Sequence, residues 1–190
     1  MPKNKDVTNA KLRKVMREEF LLHGYEKAAL NVMARRAGIT PAGIYRHFAN
    51  KEEMFASLVE PALGELFSRC ERDYRLTQAA GYDPFGEEAL YSWMDLFYGH
   101  FEEWKLLLCR SHGSKYEQIE EEMIRREKDS MRELYPHVRE EEAQFIASVF
   151  IRSLLLPIRE DMTYEQALSH TRLLRRFLYP GWRELLSPEG

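Results

Sequence analysis

Cysteine is scarce in this 190-residue sequence: only Cys70 and Cys109 are present, in no CxxC pair and at no metal-ligand spacing. That weighs against a disulfide scaffold or a thiolate metal site and predicts reduced thiols. Long hydrophobic runs are missing too. The best candidate, Phe145 to Ile151, is followed by Arg152 and falls well short of the ~20 residues of a membrane span. Met1 to Ala10 is polar and offers no apolar signal core, so a cytoplasmic protein with no membrane partner is expected. Val and Thr are sparse, and no stretch argues for a sheet. Glycine-rich phosphate loops and a Ser-His-Asp ordering are also lacking. His100 and Glu103 share a helix face at i, i+3, but no second such pair joins them, and metal sites need more ligands. No catalytic residue, cofactor or metal is therefore expected.

What is present favours helices. Leu, Glu, Arg, Ala and Met are plentiful, and hydrophobic residues make up 44% of the chain, enough to bury a core. The apolar residues recur at helical spacing almost throughout. A first helix is predicted from about Thr8 to His23, stopped by Gly24. Short helices follow at Leu30–Ala37, ended by Gly38, and from Thr40 to near Phe48, with Thr40 as cap and Pro41 in the first turn. Asn50 and Glu53 form a capping-box pattern opening a helix to about Tyr74, with a kink expected at Pro61. Thr77 to Pro84 reads as a loop. Later helices are expected over Phe85–Cys109 with a break near His100, Lys115–Leu134, Arg139–Leu156 ended by Pro157, and from Thr163 to about Leu186, bent at Tyr179-Pro180-Gly181.

Charge is unevenly spread. The formal net charge is −3, yet residues 1–51 hold eleven Lys or Arg against four Asp or Glu. A basic head on an acidic body suggests a polyanion partner at one end, chance variation being the alternative. Lys11, Arg13, Lys14 and Arg17 would either skirt a phosphate backbone or form a solvated face. Within the head, Met33 and Ala34 would face inward, Ile39 would plug the corner, and Ile44 and Phe48 would hold the second short helix against Leu12, Met16 and Phe20. That leaves Ala42, Gly43, Tyr45, Arg46 and His47 outward, a small-residue start and a donor-rich face suited to a major groove. An ordinary helical hairpin is the bland alternative.

Leu12, Val15, Met16, Phe20, Gly24-Tyr25, Ala34, Ala37-Gly38-Ile39-Thr40, Tyr45-Arg46-His47-Phe48 and Lys51-Glu52-Glu53 together resemble the TetR (tetracycline repressor) family of bacterial regulators. The likeness covers about a quarter of the chain. It implies an all-α protein with an N-terminal three-helix helix-turn-helix DNA-binding domain at 1–53, followed by a helical ligand-binding and dimerisation domain at 54–190. It implies a double-stranded DNA operator, a homodimer and a small-molecule effector. By the same resemblance Thr40, Pro41, Ala42 and Gly43 would lie near bases or backbone, Tyr45 and His47 on phosphates, Arg46 on phosphate or base, and Lys51 on the backbone. Three departures stand out: Ala28-Ala29 replaces the usual Thr or Ser cap, the frequent Gly-then-small order after the proline is inverted as Ala42-Gly43, and Glu19 stands where an apolar residue is common.

The body is read with less support. Phe67, Tyr91, Trp93, Met94, Phe97, Phe101, Trp104 and Met123 concentrate aromatics and Met in the middle helices, as an apolar or aromatic ligand would need, though such stripes are more often plain core. Phe145, Val149, Phe150, Leu154, Leu174, Phe177 and Trp182 make the last two long helices apolar over a wide arc, which suggests a dimer interface. Burial within one subunit is the alternative. The Glu120–Glu122 and Glu140–Glu142 runs read as solvated faces. The rival function is a helical small-molecule-binding protein that has lost specific DNA binding.

Overall fold

The computed structural model describes the backbone of residues 3–79 and 82–186, with side chains from residue 9 onward. In the polar start only residues 1–2, and in the Thr77–Pro84 loop only residues 80–81, lie outside the described backbone. Among those residues there are nine helices and no strand: α1 (Lys3–Lys27), α2 (Leu30–Ala37), α3 (Pro41–Ile44), α4 (Lys51–Gln78), α5 (Glu87–Gly99), α6 (Phe101–Cys109), α7 (Ile119–Leu134), α8 (Glu140–Arg159) and α9 (Tyr164–Leu185). None is long and apolar enough to cross a membrane. The expected break near His100 is real, since His100 leaves helical geometry at φ −131°, ψ 41°. Gly24 leaves it at φ 75°, ψ 166°, a region open essentially to glycine alone.

The chain divides into two compact units. The head comprises the residues up to Gly64 together with Glu102–Glu117. Its core holds Leu12, Met16 and Phe20 of α1, Met33 and Ala34 of α2, Ile44 of α3, and Met54 and Phe55 of α4, all with almost no exposure. Burial of each of the larger side chains is worth about 1.5–3 kcal/mol. Phe20 meets Phe55 edge-on at 5.1 Å, and Tyr25 does so at 5.3 Å. Residues 102–117 join the head through polar ties: the Tyr25 N–H donates to Arg110 O at 2.7 Å, and Tyr116 Oη donates to Glu60 at 2.8 Å. Arg17 pairs with Glu103 at 2.7 Å.

The body comprises Glu65–Phe101 and the chain from Gln118 on. Here α7 packs along α8, and α9 packs on α5 and α8. Phe150 and Phe85 close around Trp182 at 5.4 and 4.5 Å. The acidic runs are only partly solvated, Glu120, Glu122 and Glu142 being half-buried, and they are partnered: Glu120 bonds Arg152 at 3.2 Å and also Arg159, while Glu140 meets Lys128 and Arg132.

Two prolines fail to break their helices. Pro61 sits inside α4, and Pro157 sits inside α8, which runs on to Arg159 rather than ending at Leu156. A proline lacks the N–H that would bond the carbonyl four residues back. Those orphaned acceptors are Ser57 O and Ser153 O, and each has found a side chain from another helix. The Arg13 guanidinium donates to Ser57 O. His170 Nε2 lies 2.9 Å from Ser153 O, so its N–H tautomer fills the gap. Pro180 likewise lies within α9, which continues to Leu185.

Candidate functional site

The helix–turn–helix is built from α2, Gly38 and α3. Gly38 adopts φ 78°, ψ 29°, a left-handed conformation that favours glycine. Its N–H donates to Arg35 O at 3.2 Å and that of Ile39 to Ala34 O at 3.0 Å, so the end of α2 is satisfied by backbone alone. Thr40 Oγ1 then accepts the Gly43 N–H at 3.0 Å, capping α3, with Pro41 in its first turn.

α3 is a single turn. The expected helix to Phe48 continues instead as hydrogen-bonded turns, with His47 N–H donating to Ile44 O at 2.8 Å and Arg46 N–H to Gly43 O at 3.3 Å. The i→i+3 pattern is the tighter winding that short helical ends adopt. Ile44 is fully buried and fixes the rotation. Thr40, Pro41, Ala42, Tyr45 and Arg46 are consequently exposed, Tyr45 to 58%, and Gly43 and His47 are half-buried.

Lys51 is placed differently. Its Nζ donates to Glu26 O at 2.9 Å and lies 5.1 Å over the Tyr25 ring. Burial pulls its ammonium below the ordinary lysine value, against the opposite pull of Glu26. Tyr25 in turn donates to Glu52 at 2.9 Å, and burial together with Glu52 pushes its phenol up to about 12. Asn50 Oδ1 accepts the Glu53 N–H at 2.8 Å, and the Glu53 carboxylate returns to the Ala49 N–H, closing the start of α4.

Sequence reasoning noted Glu19 as a departure but not its role. Ala29 caps α2 with no side-chain bond, as the Ala28-Ala29 pair implies. Glu19, only 3% exposed, accepts the Ala29 N–H at 3.4 Å and faces Arg36 at 3.5 Å. A buried acid under the positive end of α2 takes over part of what a Thr or Ser would do. The signal was visible as a lone Glu in an apolar register. Three basic residues of the head are also committed internally: Arg13 to Ser57 O, Arg17 to Glu102 and Glu103, and Arg36 to Glu18 and Glu19.

The body encloses a cavity of about 110 Å³. It brings together Phe67, Trp93 and Met123 of the expected ligand residues. Tyr91, Met94, Phe97, Phe101 and Trp104 lie away from it; Met94, Phe97 and Trp104 are buried elsewhere, Trp104 in the head. Phe150 and Leu154, expected at a dimer interface, line this cavity instead, and Leu174 and Trp182 are also buried within the body. Helix register decides this: on α8 and α9 those positions fall on the inward arc. Phe145, Leu173 and Phe177 point outward, at 66%, 64% and 81% exposure. Asp73 and Glu127 in the cavity wall were not anticipated. His100 and Glu103 separate, His100 to Glu65 at 3.1 Å and Glu103 to Arg17. Among the described residues no three His, Cys, Asp or Glu side chains converge as a metal site would require.

A capped helix–glycine–helix presented by a small helical head, with an all-helical body, defines a helix-turn-helix protein. Residues 13–58 match the family described as bacterial regulatory proteins, tetR family. The chain is 46% identical over 39 residues to the nucleoid occlusion factor SlmA of Marinobacter nauticus, covering 20% of each. It is 38% identical over 69 residues to the probable acrEF/envCD operon repressor of Escherichia coli K12, covering 35% of this chain and 29% of that one. The chain thus spans under a third of the length of these curated relatives. Among solved structures, a TetR-like transcriptional regulator from Rhodococcus sp. RHA1 superposes with a TM-score of 0.63 at 15% identity, covering 94% of this chain and 95% of that one. NalD, the secondary repressor of the MexAB-OprM multidrug efflux pump in Pseudomonas aeruginosa, does so at 0.60 and 18%, covering 98% and 99%. Over residues 13–58 the chain is thus similar to the TetR family of bacterial regulatory proteins, and along its length it shares the fold of these solved regulators.

Proposed function

We propose that this chain is a cytoplasmic transcriptional repressor that binds a palindromic duplex operator as a homodimer, with occupancy set by a small molecule in the body cavity. The observation that carries this reading is the Thr40-capped α3 and the turn that follows it, where exposed Tyr45 and Arg46 stand beside small residues. Small residues allow close backbone approach, and the phenol and guanidinium donate to phosphate or base edges. In functional terms the division is a DNA-binding segment at 1–53 and a ligand-binding, dimerising segment at 54–190. For pairing, Phe145, Val149 and Leu156 follow one stripe of α8, and Leu173 and Phe177 one of α9. An uncovered apolar face of this kind is best satisfied by a second copy of itself. Two heads would then read half-sites about 34–36 Å apart, or a multiple of it. α4 contributes both head residues such as Met54 and cavity residues such as Leu66. A ligand favouring one position of α4 would shift the population of DNA-competent dimers by its differential affinity.

A salt titration tests the assignment. With a duplex selected from random sequence, affinity should fall steeply from 50 to 200 mM salt, as counterion release demands. The absence of binding in dilute buffer would instead favour the helical small-molecule-binding protein without DNA binding. That reading draws on the internal commitment of Lys51 and Arg13.

A further inference from the structure

Resting on the reading of the body cavity as an effector site, we propose that its ligand is an aromatic organic cation, paired with the carboxylate of Glu127. The cavity wall is apolar and aromatic, with Phe67, Trp93 and Phe150 among its faces. Its volume of about 110 Å³ is of the order of one ring, given that a cavity of roughly 150 Å³ holds benzene. Most of the charges around it are paired with one another. Asp73 is held by Arg69 at 2.7 Å, and Arg69 also donates to Ala89 O and lies over Trp93. Arg126 bonds Glu122 at 2.6 Å and stacks on Phe67. Glu127 alone of these has no hydrogen bond or ion pair among the described residues.

Glu127 is half-buried, so a ligand that fills the cavity displaces the water at its carboxylate, and a carboxylate left unpartnered in an apolar wall is unfavourable; burial, with Asp73 nearby, pushes its carboxyl up to about 7. The other titratable groups on the cavity are Cys70 and Tyr74 of α4 and Tyr135 beyond α7, all neutral near pH 7; α8 presents only apolar residues there. An anion entering this space would meet Glu127 as a like charge. A neutral ligand would leave it unpaired. A cation supplies the missing partner, and aromatic faces add cation–π attraction.

Calorimetric titration of the full chain with benzyltrimethylammonium, its uncharged carbon isostere neopentylbenzene, and benzylsulfonate tests the proposal. The ammonium should bind at least about tenfold more tightly than the isostere. Its affinity should rise from pH 6 to pH 8 as Glu127 ionises, since the probe itself does not titrate. Glu127→Gln should remove that tenfold advantage and the pH dependence while leaving the isostere within about twofold, which also reports that the cavity is intact. Should Glu127→Gln fail to fold, Glu127→Asp serves, with a reduced but surviving cation preference expected. Equal binding of ammonium and isostere, or tighter binding of the sulfonate, overturns the cation while the effector cavity stands. If none of the three binds, both readings fall.

Discussion

Arg13 offers the most specific test of how this fold is held together. In α4, Pro61 deprives Ser57 O of its helical donor, and the Arg13 guanidinium of α1 takes that acceptor. Replacing Arg13 by Met keeps the apolar stem and removes the donor. A hydrogen bond from a charged group contributes about 1.5–3 kcal/mol; because Arg13 is exposed, water recovers part of that, and a loss of about 1 kcal/mol is expected. The decisive comparison is with Pro61→Ala. Alanine restores an N–H at position 61, so Ser57 O regains a backbone donor and Arg13 becomes redundant. In the Pro61→Ala background Arg13→Met should therefore cost nearly nothing, giving a coupling of about 1 kcal/mol. Urea unfolding followed by circular dichroism at fixed protein concentration measures all four corners of this cycle. Equal effects of Arg13→Met in both backgrounds would refute the idea that the guanidinium substitutes for the missing amide.

Thr40→Val removes the cap on α3 and should cost about 1 kcal/mol, with a larger loss in DNA affinity than in melting temperature, checked by binding and thermal unfolding side by side. Phe177→Glu places a charge on the exposed stripe of α9 and should yield monomers in sedimentation velocity at micromolar concentration; an unchanged profile would put the dimer elsewhere. For Glu127 the sign follows from linkage: its folded carboxyl, at about 7 against an ordinary 4.5, holds a proton that the unfolded chain has released between those values. Stability should thus fall as pH rises from 4.5 to 7 and level off above, by at most about 3 kcal/mol, and Glu127→Gln should flatten that slope in urea titrations.

The head was legible because its signals are local. Gly38 needs a left-handed turn, Thr40 and Asn50 cap the helices that follow them, and Thr163 with Gln166 opens α9, each observed as the residue types suggested. The outward face of α3 followed from Ile44 facing in. The body was less legible because its stripes are apolar on more than one side. Phe150 and Phe177 look alike in sequence, yet one lines a cavity and the other is exposed; only packing partners distinguish them. Pro157 misled for a similar reason. A proline usually ends a helix, but His170 on α9 supplies the lost bond to Ser153 O, and no local pattern announces a donor thirteen residues downstream. Lys51 was read by its position at a helix start, whereas its partner, Glu26 O, belongs to the end of α1.

That last contrast changes what the basic head can do on a polyanion. Eleven Lys and Arg in the first 51 residues would, if all met phosphate, give a very steep salt dependence. Four of them are held inside the head: Arg13, Arg17, Arg36 and Lys51. Pulling any of them away would break the contact it makes within the head, at a cost of about 1 kcal/mol each where water can replace the donor. Among the described side chains, Lys11, Lys14, Lys27, Arg35 and Arg46 are left exposed, Lys14 only loosely facing Glu18 at 4.0 Å. With a slope near −0.9 per neutralised phosphate, these five cations on each of two heads would contribute a log–log slope of about −9. Arg46→Ala should make it shallower by about 2 in a dimer, one phosphate per head. Arg13→Met should leave it unchanged. A slope that drops equally for both variants would mean that the internal contacts of Arg13 open on DNA, and that the head binds in a conformation other than this one.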